Sequence, residues 1–532
     1  MRSRHFPIVF LGISLLATAC GAQSSGVIST QSKTAVTTAT STEPSSPVPI
    51  TALIPETDPG SPETAEVTVP STEQVPNPDD PFRFDSCGTG IDCGYLAVPV
   101  NYNDPTGPTF KLYAAVHRAT NTSQRIGSLL VNPGGPGFGG SDFAVYAEQI
   151  YGQRLLEQFD IVAWDPRGTG LSEPAIDCVD DYDRYFAGVD ITPDDQGERA
   201  QIIDLAREFE ELCATKNADI VQFIGTNNSA RDMDSIRQAL GEDKISYFGF
   251  SYGSELGATW STLFPDTVRA AVLDGAADPN ADFLQSGLQQ VAGFEGSITT
   301  FLKQCSASAS CAFNNDGDSE GAFDALMLKL DETPVPSNPG RPDVTRGVAL
   351  VAVAEAMYSQ TSWPDLEQAL AAAHDGDGSG LLALYDQYYQ RGADGVYDNS
   401  LEAFQTITCM DTTERLTVEE DDATASQFNE VAPRYAPGTT GSYFCSFFPA
   451  STDPRVAITG AGAGPVLVIG TTGDPATPLS STENMAKALE QGVLVVVVAD
   501  QHTGYGVNSC VDDAVENYLI DLAVPESGLR CE

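Results

Sequence analysis

Short apolar runs bounded by glycine, proline and aspartate recur along the chain from about residue 94 onward. Continuous runs of this kind are typical of strands that are buried on both faces, as in a parallel sheet. The clearest run is Gly-Val-Leu-Val-Val-Val-Val-Ala-Asp at 492–500. Eight strands are predicted in this way: Gly94–Val98, Thr109–Arg118, Ser128–Val131, Asp160–Trp164, Lys244–Phe250, Arg269–Leu273, Pro465–Gly470 and Leu494–Ala499.

Helical patterns alternate with several of these strands. Ile202–Lys216 and Ser229–Leu240 precede the fifth predicted strand, and Ser481–Gln491 lies between the last two. Such alternation favours a mostly parallel α/β sheet with helices on its faces. Between Asp274 and Pro465 about 190 residues contain no clear sheet strand, which predicts an inserted helical cap. Its predicted helices are Phe283–Cys305, Gly321–Leu330, Val348–Tyr358, Trp363–His374, Gly380–Arg391 and Ser400–Thr406.

The first 80 residues follow a different pattern. Two arginines precede the apolar run Phe6–Ala17, which ends in Ala-Thr-Ala-Cys-Gly at 17–21. This order predicts a lipoprotein signal peptide, residues 1–20, with Cys20 as the lipidation site, and an ordinary signal peptide cleaved nearby is the alternative. Residues 21–80 are rich in Ser, Thr and Pro and cannot bury enough apolar surface to offset the entropy of ordering them. We expect a disordered tether and a location at the extracellular face of the membrane, or secretion.

Charge narrows the possible partners. The chain of 532 residues has 27 basic and 74 acidic residues and a formal net charge of −47. Such an excess argues against nucleic acid as a partner and against electrostatic attraction to anionic lipid. The membrane is therefore expected to be a partner only through the lipid anchor, and a monomer is expected.

The cysteines are consistent with export. Apart from Cys20, ten of the 11 cysteines fall into couples of sequence neighbours, and an even number in an exported chain predicts five disulfides without determining their connectivity. A zinc site is the alternative, but the spacings include no paired Cys-x-x-Cys units and no histidine cluster. The couples are Cys87 with Cys93, Cys178 with Cys213, Cys305 with Cys311, Cys409 with Cys445, and Cys510 with Cys531.

The pentapeptide Gly-Phe-Ser-Tyr-Gly at 249–253 lies between a predicted strand and a helical segment. A strand, a sharp turn and a helix around G-x-S-x-G form a nucleophile elbow, which exposes a serine hydroxyl above an α/β sheet. Ser251 is therefore the predicted nucleophile. It needs a histidine to take its proton and a carboxylate to orient that histidine.

Only one histidine follows a predicted strand. The chain has four, and His502 comes directly after the apolar run that ends at residue 500. His5 lies in the targeting segment, while His117 and His374 lie elsewhere. The carboxyl edge of a parallel sheet is where such folds bind ligands, so His502 is the predicted base.

The carboxylate should follow Ser251 and precede His502 along the chain. Asp474 follows a buried-strand run in the loop Thr-Thr-Gly-Asp-Pro-Ala-Thr-Pro and is the first choice. Asp274, at the end of the preceding predicted strand, is the rival. Either aspartate could instead serve only to form a turn through its own backbone.

An oxyanion hole needs backbone N–H groups near the serine. One should come from Tyr252, the residue after Ser251, and one from the loop that follows an earlier strand. The segment Asn-Pro-Gly-Gly-Pro-Gly-Phe-Gly-Gly at 132–140 is the predicted loop, because its glycines let backbone approach a substrate carbonyl. A purely structural Gly/Pro loop is the alternative.

Taken together, the chain resembles the secreted tripeptidyl aminopeptidases of actinobacteria, relatives of the proline iminopeptidases within the α/β-hydrolase fold. The resemblance extends over most of residues 85–531, and proline iminopeptidases usually have histidine where Pro133 stands here. It implies an α/β fold of eight mostly parallel strands with a helical cap, and Gly135 as the second oxyanion donor. Its motifs are residues 132–137, 160–172, 249–253, 407–411 and 465–502.

The resemblance also implies a function, namely cleavage of short peptides from a free N-terminus by a serine exopeptidase without cofactor. A cap above the serine would favour chain ends over folded substrates. A free amine needs a partly desolvated carboxylate, for which Asp411 is the first candidate and Glu255 the second. The alternative for both is a capping or surface carboxylate.

The predicted domain boundaries follow from these assignments. They are a signal peptide at 1–20, a tether at 21–80, the first part of the hydrolase core at 81–284, the cap at 285–445 and a TAP-like C-terminal part of the core at 446–532.

Two other functions use the same features. An esterase acting on small or lipid-like esters would need the same three residues, and a binding lipoprotein could retain the fold without turnover. No metal is expected. The segment Asp-Gly-Asp-Gly-Ser-Gly at 375–380 with Asp386 has the spacing of a calcium loop, but a helix is predicted where ligands should continue.

Overall fold

The computed structural model describes residues 84–193, 195–439, 441 and 443–532. Cys20, the predicted signal peptide and the predicted tether lie outside these residues. A ten-stranded sheet forms the centre of the molecule, in the order β1-β2-β3-β5-β4-β6-β7-β8-β9-β10. The strands are β1 Asp85–Gly88, β2 Ile91–Pro99, β3 Thr109–His117, β4 Gly127–Asn132, β5 Phe159–Trp164, β6 Ile245–Phe250, β7 Val268–Asp274, β8 Val466–Thr471, β9 Gly492–Val497 and β10 Leu529–Cys531.

The strands from β5 to β10 in this order are parallel to one another, whereas β1, β2 and β3 are antiparallel to their neighbours. β4 has β5 on one side and β6 on the other, so the strand order reverses beside β6. Ligands bind at such a reversal, because the loops after the two strands separate there. Ser251 directly follows β6.

All eight predicted strands are present, with ends that differ by at most three residues. The sheet has two further strands at its edges, β1 and β10, which were not predicted. β1 has only four residues and β10 three. Strands this short have too few positions to show a pattern of alternation.

Helices cover both faces of the sheet and build the cap. The cap helices α8–α12 and α14 surround an apolar cluster of their own, which includes Phe301, Leu326, Val353 and Leu370, whereas α13 packs against the core of the sheet. The helices are α1 Asp142–Val145, α2 Ala147–Ile150, α3 Gln153–Gln158, α4 Tyr182–Tyr185, α5 Gln196–Lys216, α6 Thr226–Ala239, α7 Tyr252–Leu263, α8 Phe283–Ala307, α9 Ser319–Glu332, α10 Arg346–Met357, α11 Trp363–His374, α12 Ser379–Tyr388, α13 Ser400–Met410, α14 Val418–Val431, α15 Leu479–Ala488 and α16 Ser509–Asp521.

The six predicted cap helices are present, and α14 is an additional one. Its sequence, Val-Glu-Glu-Asp-Asp-Ala-Thr-Ala-Ser-Gln-Phe-Asn-Glu-Val, has no fully buried residue. A helix without a buried apolar stripe has little periodic signal, so local capping defines it instead. The Thr417 and Glu420 side chains form a reciprocal capping box at its start.

One cap helix, α13, holds the cap against the loops of the sheet. A Cβ atom at Gly137 would lie 2.4 Å from the backbone of Phe404. The loop at 132–140 can therefore pack this closely against α13 only because residue 137 is glycine. Asn399, just before α13, donates hydrogen bonds to the carbonyl oxygens of Gly168 and Ile176. The loops after β4 and β5 are therefore both in contact with the cap.

The structure joins the ten described cysteines as the five couples of sequence neighbours: Cys87–Cys93, Cys178–Cys213, Cys305–Cys311, Cys409–Cys445 and Cys510–Cys531. Two buried glutamates support two of these bridges. Glu402 on α13 accepts a hydrogen bond from the N–H of Val179, next to Cys178. Glu210 on α5 accepts one from the N–H of Cys445. α5 and α13 are thus tied together by both covalent and polar contacts.

A buried ion pair connects three separate parts of the core. The Arg167 guanidinium donates two hydrogen bonds to the Asp232 carboxylate, at 2.6 and 2.7 Å, and neither side chain is exposed to solvent. Arg167 also donates to the carbonyl oxygens of Val100 and Phe223. The loop after β5, helix α6 and the end of β2 are joined in this way.

Among the described residues, no helix is long and apolar enough to cross a membrane.

We expect Arg167→Met to destabilise the fold by about 3–5 kcal/mol, because it leaves the Asp232 carboxylate buried without its partner. The measurement is the urea midpoint followed by tryptophan fluorescence. Arg530→Met is the matched control, since Arg530 pairs with Glu532 at the surface. Equal midpoints for the two variants would contradict the importance of the buried pair.

Candidate active site

The serine of the Gly-Phe-Ser-Tyr-Gly segment lies in a strained turn between β6 and α7. Ser251 has φ 55° and ψ −125°, a conformation that residues with a side chain rarely adopt. Its N–H donates a hydrogen bond to the carbonyl oxygen of Asp274, at 2.8 Å. The turn directs the side chain of Ser251 away from the regular path of strand and helix, as a nucleophile elbow requires.

Glycines on either side of Ser251 make this turn possible. A Cβ atom at Gly249 would lie 2.2 Å from the carbonyl oxygen of Gly253, and one at Gly253 would lie 2.7 Å from that of Asn132. Gly257, one helical turn further, packs against the ring of Tyr247. The helix can therefore approach the strand closely only because these positions lack side chains.

His502 lies in the loop after β9 and contacts the segment that supports the serine. A Cβ atom at Gly275 would be 2.9 Å from His502 Cε1, and Gly275 follows the residue that accepts the Ser251 N–H. The imidazole is buried, and its Nε2 atom has no hydrogen-bond partner among the described residues. Nε2 is thus free for a proton from the serine or from a substrate.

The other ring nitrogen of His502 is held by Asp474. Nδ1 lies 2.8 Å from Asp474 Oδ1 and 3.0 Å from Oδ2, and both side chains are buried. The carboxylate is fixed in turn by the N–H groups of Ala476 and Thr477. Since the carboxylate can only accept, Nδ1 carries the proton and Nε2 is left as the base.

Thr477 is a part of this arrangement that sequence reasoning missed. Its hydroxyl lies 3.1 Å from Asp474 Oδ2 and 3.4 Å from His502 Nδ1. It therefore touches both members of the pair. The signal was present in the sequence, because a threonine three residues after an aspartate often closes a local turn.

The rival aspartate has a different role. Asp274 is buried, and its two carboxylate oxygens accept the N–H groups of Gly504 and Tyr505, both at 2.8 Å. Among the described contacts, no hydrogen bond joins Asp274 to the imidazole. Asp274 therefore anchors the loop that carries His502, while Asp474 orients the ring.

Opposing effects act on the imidazole. Burial alone would lower the pKa of His502, but the negative charges of Asp474 and Asp274 and the hydrogen bond to Asp474 raise it above its ordinary value. The surroundings thus stabilise the imidazolium that forms when the histidine takes a proton.

The predicted oxyanion loop lies directly against the elbow. A Cβ atom at Gly134 would be 2.8 Å from Ser251 Cβ and 3.1 Å from the nitrogen of Tyr252. Gly134 itself donates its N–H to Asn132 Oδ1. The N–H groups of Gly135 and Tyr252 have no acceptor among the described residues, so both remain available to a substrate oxygen.

The two candidate carboxylates for a substrate amine lie near each other, on the side of the elbow marked by Tyr252. Asp411, after α13, accepts hydrogen bonds from the N–H and the hydroxyl of Thr226 at the start of α6, and so caps that helix. Glu255 forms an ion pair with Arg455. The Tyr252 and Thr226 hydroxyls share a hydrogen bond, which connects this group to the elbow.

The group contains two carboxylates and one arginine. Burial, followed by repulsion from Glu255, raises the pKa of Asp411 to about 7, although its hydrogen bonds with Thr226 and the charge of Arg455 oppose the shift. A second positive charge at this position would offset the repulsion. Neither Arg455 nor Thr226 was singled out from the sequence, because each lies far along the chain from the carboxylate that it contacts.

The remaining candidates lie away from this centre. His117 is buried on β3, and His374 is the last residue of α11. In the segment that resembled a calcium loop, α12 begins at Ser379, and Asp386 accepts hydrogen bonds from Arg341 and Tyr397. The part of the chain that the structure describes contains no group of three or more metal-ligating side chains.

Two known protein families match parts of this chain, and several known proteins are similar to most of it. Residues 435–531 match the family described as TAP-like protein, and residues 127–315 match the α/β hydrolase fold family. Serine protease Hip1 of Mycobacterium tuberculosis is 37% identical over 461 residues, which cover 83% of this chain and 87% of that protein.

Two further relatives carry other names. Carboxylesterase B of Mycobacterium tuberculosis is 36% identical over 458 residues, covering 82% of this chain and 86% of that protein. Tripeptidyl aminopeptidase of Streptomyces coelicolor is 30% identical over 455 residues, covering 83% of each.

We expect the protein to become more stable as the pH falls from 8 towards 5.5. Burial raises the pKa of Asp274 to about 7, partly offset by its two backbone hydrogen bonds, whereas an unfolded aspartate has a pKa of about 3.9. The folded state therefore binds more protons over this range, and the stabilising effect is lost as the pH rises through about 7. The thermal midpoint, measured as a function of pH, checks the sign.

Asp274→Asn should reduce that pH dependence and also lower stability by about 1–3 kcal/mol, because an amide nitrogen then faces a backbone N–H. Asp266→Asn, at an exposed position, is the matched control. A pH dependence that is the same in both variants would show that Asp274 does not contribute to it.

Proposed function

The chain belongs to the α/β-hydrolase family of serine hydrolases that includes the tripeptidyl aminopeptidases, and on this basis we propose that it is an exopeptidase releasing short peptides from free N-termini. Membership makes it a serine hydrolase. The hydrolase chemistry rests on the buried His502–Asp474 pair with a free Nε2 beside the strained turn at Ser251. A serine hydrolase uses a base and a nucleophile of this kind on a peptide or an ester. The observation that carries the finer proposal is the Asp411–Glu255 group, in which two carboxylates share one arginine.

In the proposed reaction, Ser251 Oγ attacks the carbonyl carbon of the scissile peptide bond while His502 Nε2 takes the hydroxyl proton. The carbonyl oxygen becomes negatively charged and accepts hydrogen bonds from the N–H groups of Gly135 and Tyr252. His502 then donates its proton to the leaving nitrogen as the C–N bond breaks, which leaves an ester between Ser251 and the released segment. Water, deprotonated by His502, hydrolyses that ester and restores the serine.

Asp474 contributes to this reaction by orientation and charge. It holds the proton on Nδ1, so that Nε2 is the atom facing the serine, and it stabilises the imidazolium in each step. Thr477 and the two backbone N–H groups keep the carboxylate in position. No cofactor is needed for any of these steps.

The preference for a free N-terminus is proposed to come from Asp411 together with Glu255. Two carboxylates share one arginine there, so an ammonium group would complete the charge balance in a largely desolvated place. The Tyr252–Thr226–Asp411 hydrogen bonds connect this group to the residue that supplies an oxyanion donor. The distance from the amine to the scissile bond would then set the length of the released peptide.

The second candidate is an esterase, which the similarity to a carboxylesterase favours. The same serine, histidine and aspartate attack an ester carbonyl as readily as an amide. The two candidates differ in the amine site, because an ester of a neutral acyl group has no charge for Asp411 and Glu255 to recognise.

We expect Ser251→Ala to abolish labelling by a fluorophosphonate probe and to lower kcat for a tripeptide anilide by about 10³-fold or more. Ser310→Ala, at an exposed serine, is the matched control. Labelling that persists in the Ser251 variant would exclude this serine as the nucleophile. Probe labelling without hydrolysis of any anilide, but with hydrolysis of short acyl esters, would favour the esterase.

We expect Asp411→Asn to raise KM for a free tripeptide anilide by about tenfold, because the substrate ammonium loses a charged partner. The measured quantity is the ratio of kcat/KM for the free anilide to that for its N-acetylated form. Glu430→Gln, which removes an exposed charge from the cap, should leave the ratio at its wild-type value. An unchanged ratio in the Asp411 variant would rule out this amine site.

A further inference from the structure

A second group of polar side chains lies against the other side of the catalytic histidine. Helix α10 is buried except at a few positions, and Val351, Glu355 and Tyr358, which follows the helix, are among those only partly buried. Their spacing of four and three residues places them on one face of the helical path. Tyr358, the last of these three residues, contacts His502.

Tyr358 makes the contact with the histidine. Its ring meets the imidazole edge to face, with centroids 5.3 Å apart, and its carbonyl oxygen accepts the N–H of His502 at 3.0 Å. Tyr388, at the end of α12, lies beside it, with the two ring centroids 6.2 Å apart. Burial raises the pKa of both tyrosine hydroxyls, and the negative charge of Glu355, one turn before Tyr358, raises it further.

Glu355 is one of the acidic side chains of the cap that form no ion pair with a described residue. Gln387 lies close to its carboxyl. Burial raises the pKa of its carboxyl to about 7, against the effect of Gln387. A carboxylate that is partly removed from water and has no cation beside it is costly, so a positively charged ligand would stabilise it.

The position of this group relative to the reaction decides which part of a substrate it can meet. In the tetrahedral intermediate, His502 Nε2 lies between the serine oxygen and the leaving nitrogen, to which it gives its proton. The leaving segment therefore departs on the histidine side, where Tyr358 lies. The Asp411–Glu255 group belongs instead to the side of Tyr252.

We propose that Glu355, Tyr358 and Tyr388 form a leaving-group subsite that binds a basic side chain on the first residue after the scissile bond. A lysine or arginine there would place its charge beside the Glu355 carboxylate and near the faces of the tyrosine rings, which attract cations. The inference rests on the proposed peptidase activity. It adds a preference for the residue after the scissile bond, on the side of the serine opposite to the substrate amine.

The test compares peptides that are identical before the scissile bond and have lysine, norleucine or glutamate directly after it. The full-length protein should cleave the lysine peptide about tenfold faster than the norleucine peptide in kcat/KM, as one charged hydrogen bond allows. In Glu355→Gln this preference should fall to about one, and in Glu355→Lys it should reverse in favour of glutamate. Glu332→Gln, an exposed cap residue, should keep the wild-type preference.

Several outcomes would overturn the inference. If the wild-type protein cleaves the lysine and norleucine peptides at equal rates, the subsite is ruled out and the proposed peptidase activity still stands. A Glu355→Gln variant that keeps its lysine preference but no longer distinguishes free from N-acetylated substrates would place the substrate amine there instead. Failure of the wild type to cleave any peptide, with esters still hydrolysed, would reject the proposed function and the subsite together. The reversed preference of Glu355→Lys cannot result from misfolding.

Discussion

The turn at Ser251 is the constraint on which the rest of the site depends. A residue with a side chain is held at φ 55°, which costs on the order of 1–3 kcal/mol and persists only when its surroundings leave no alternative. Those surroundings are the close packing of Gly249 and Gly253, the hydrogen bond from Ser251 to Asp274, and the backbone of Gly134. The same turn starts helix α7 and thereby positions the N–H of Tyr252.

The loops around this turn are held by buried carboxylates. Asp165 accepts the N–H groups of Ser141 and Leu171, Asp274 accepts those of Gly504 and Tyr505, and Asp474 accepts those of Ala476 and Thr477. For each carboxylate, two backbone N–H groups thus donate the hydrogen bonds that water would otherwise provide. A carboxylate bound in this way can be buried at moderate cost and fixes a loop in one conformation. Of the three, only Asp474 also binds the imidazole.

The polar surroundings differ on the two sides of the serine. On the side of Tyr252, Asp411 and Glu255 are already bound to Thr226 and Arg455. On the side of His502, Glu355 has tyrosines and a glutamine near it, and no cation from the described part of the chain pairs with it. Under the two proposals, the amine and the leaving segment of a substrate would meet different partners.

The sequence by itself determined the features that depend on neighbours along the chain. The buried strands, the elbow at Ser251, the glycine-rich loop, His502 and the order of the three residues all follow from local runs and spacings. The edge strands β1 and β10 and helix α14 escaped prediction, because they are too short or too polar to show a pattern. Only the tertiary structure decided that Asp474 rather than Asp274 binds the imidazole, that Arg455 pairs with Glu255, and that Tyr358 lies beside His502. These contacts join residues far apart in sequence, and side-chain chemistry alone does not specify which of two buried carboxylates reaches a given atom.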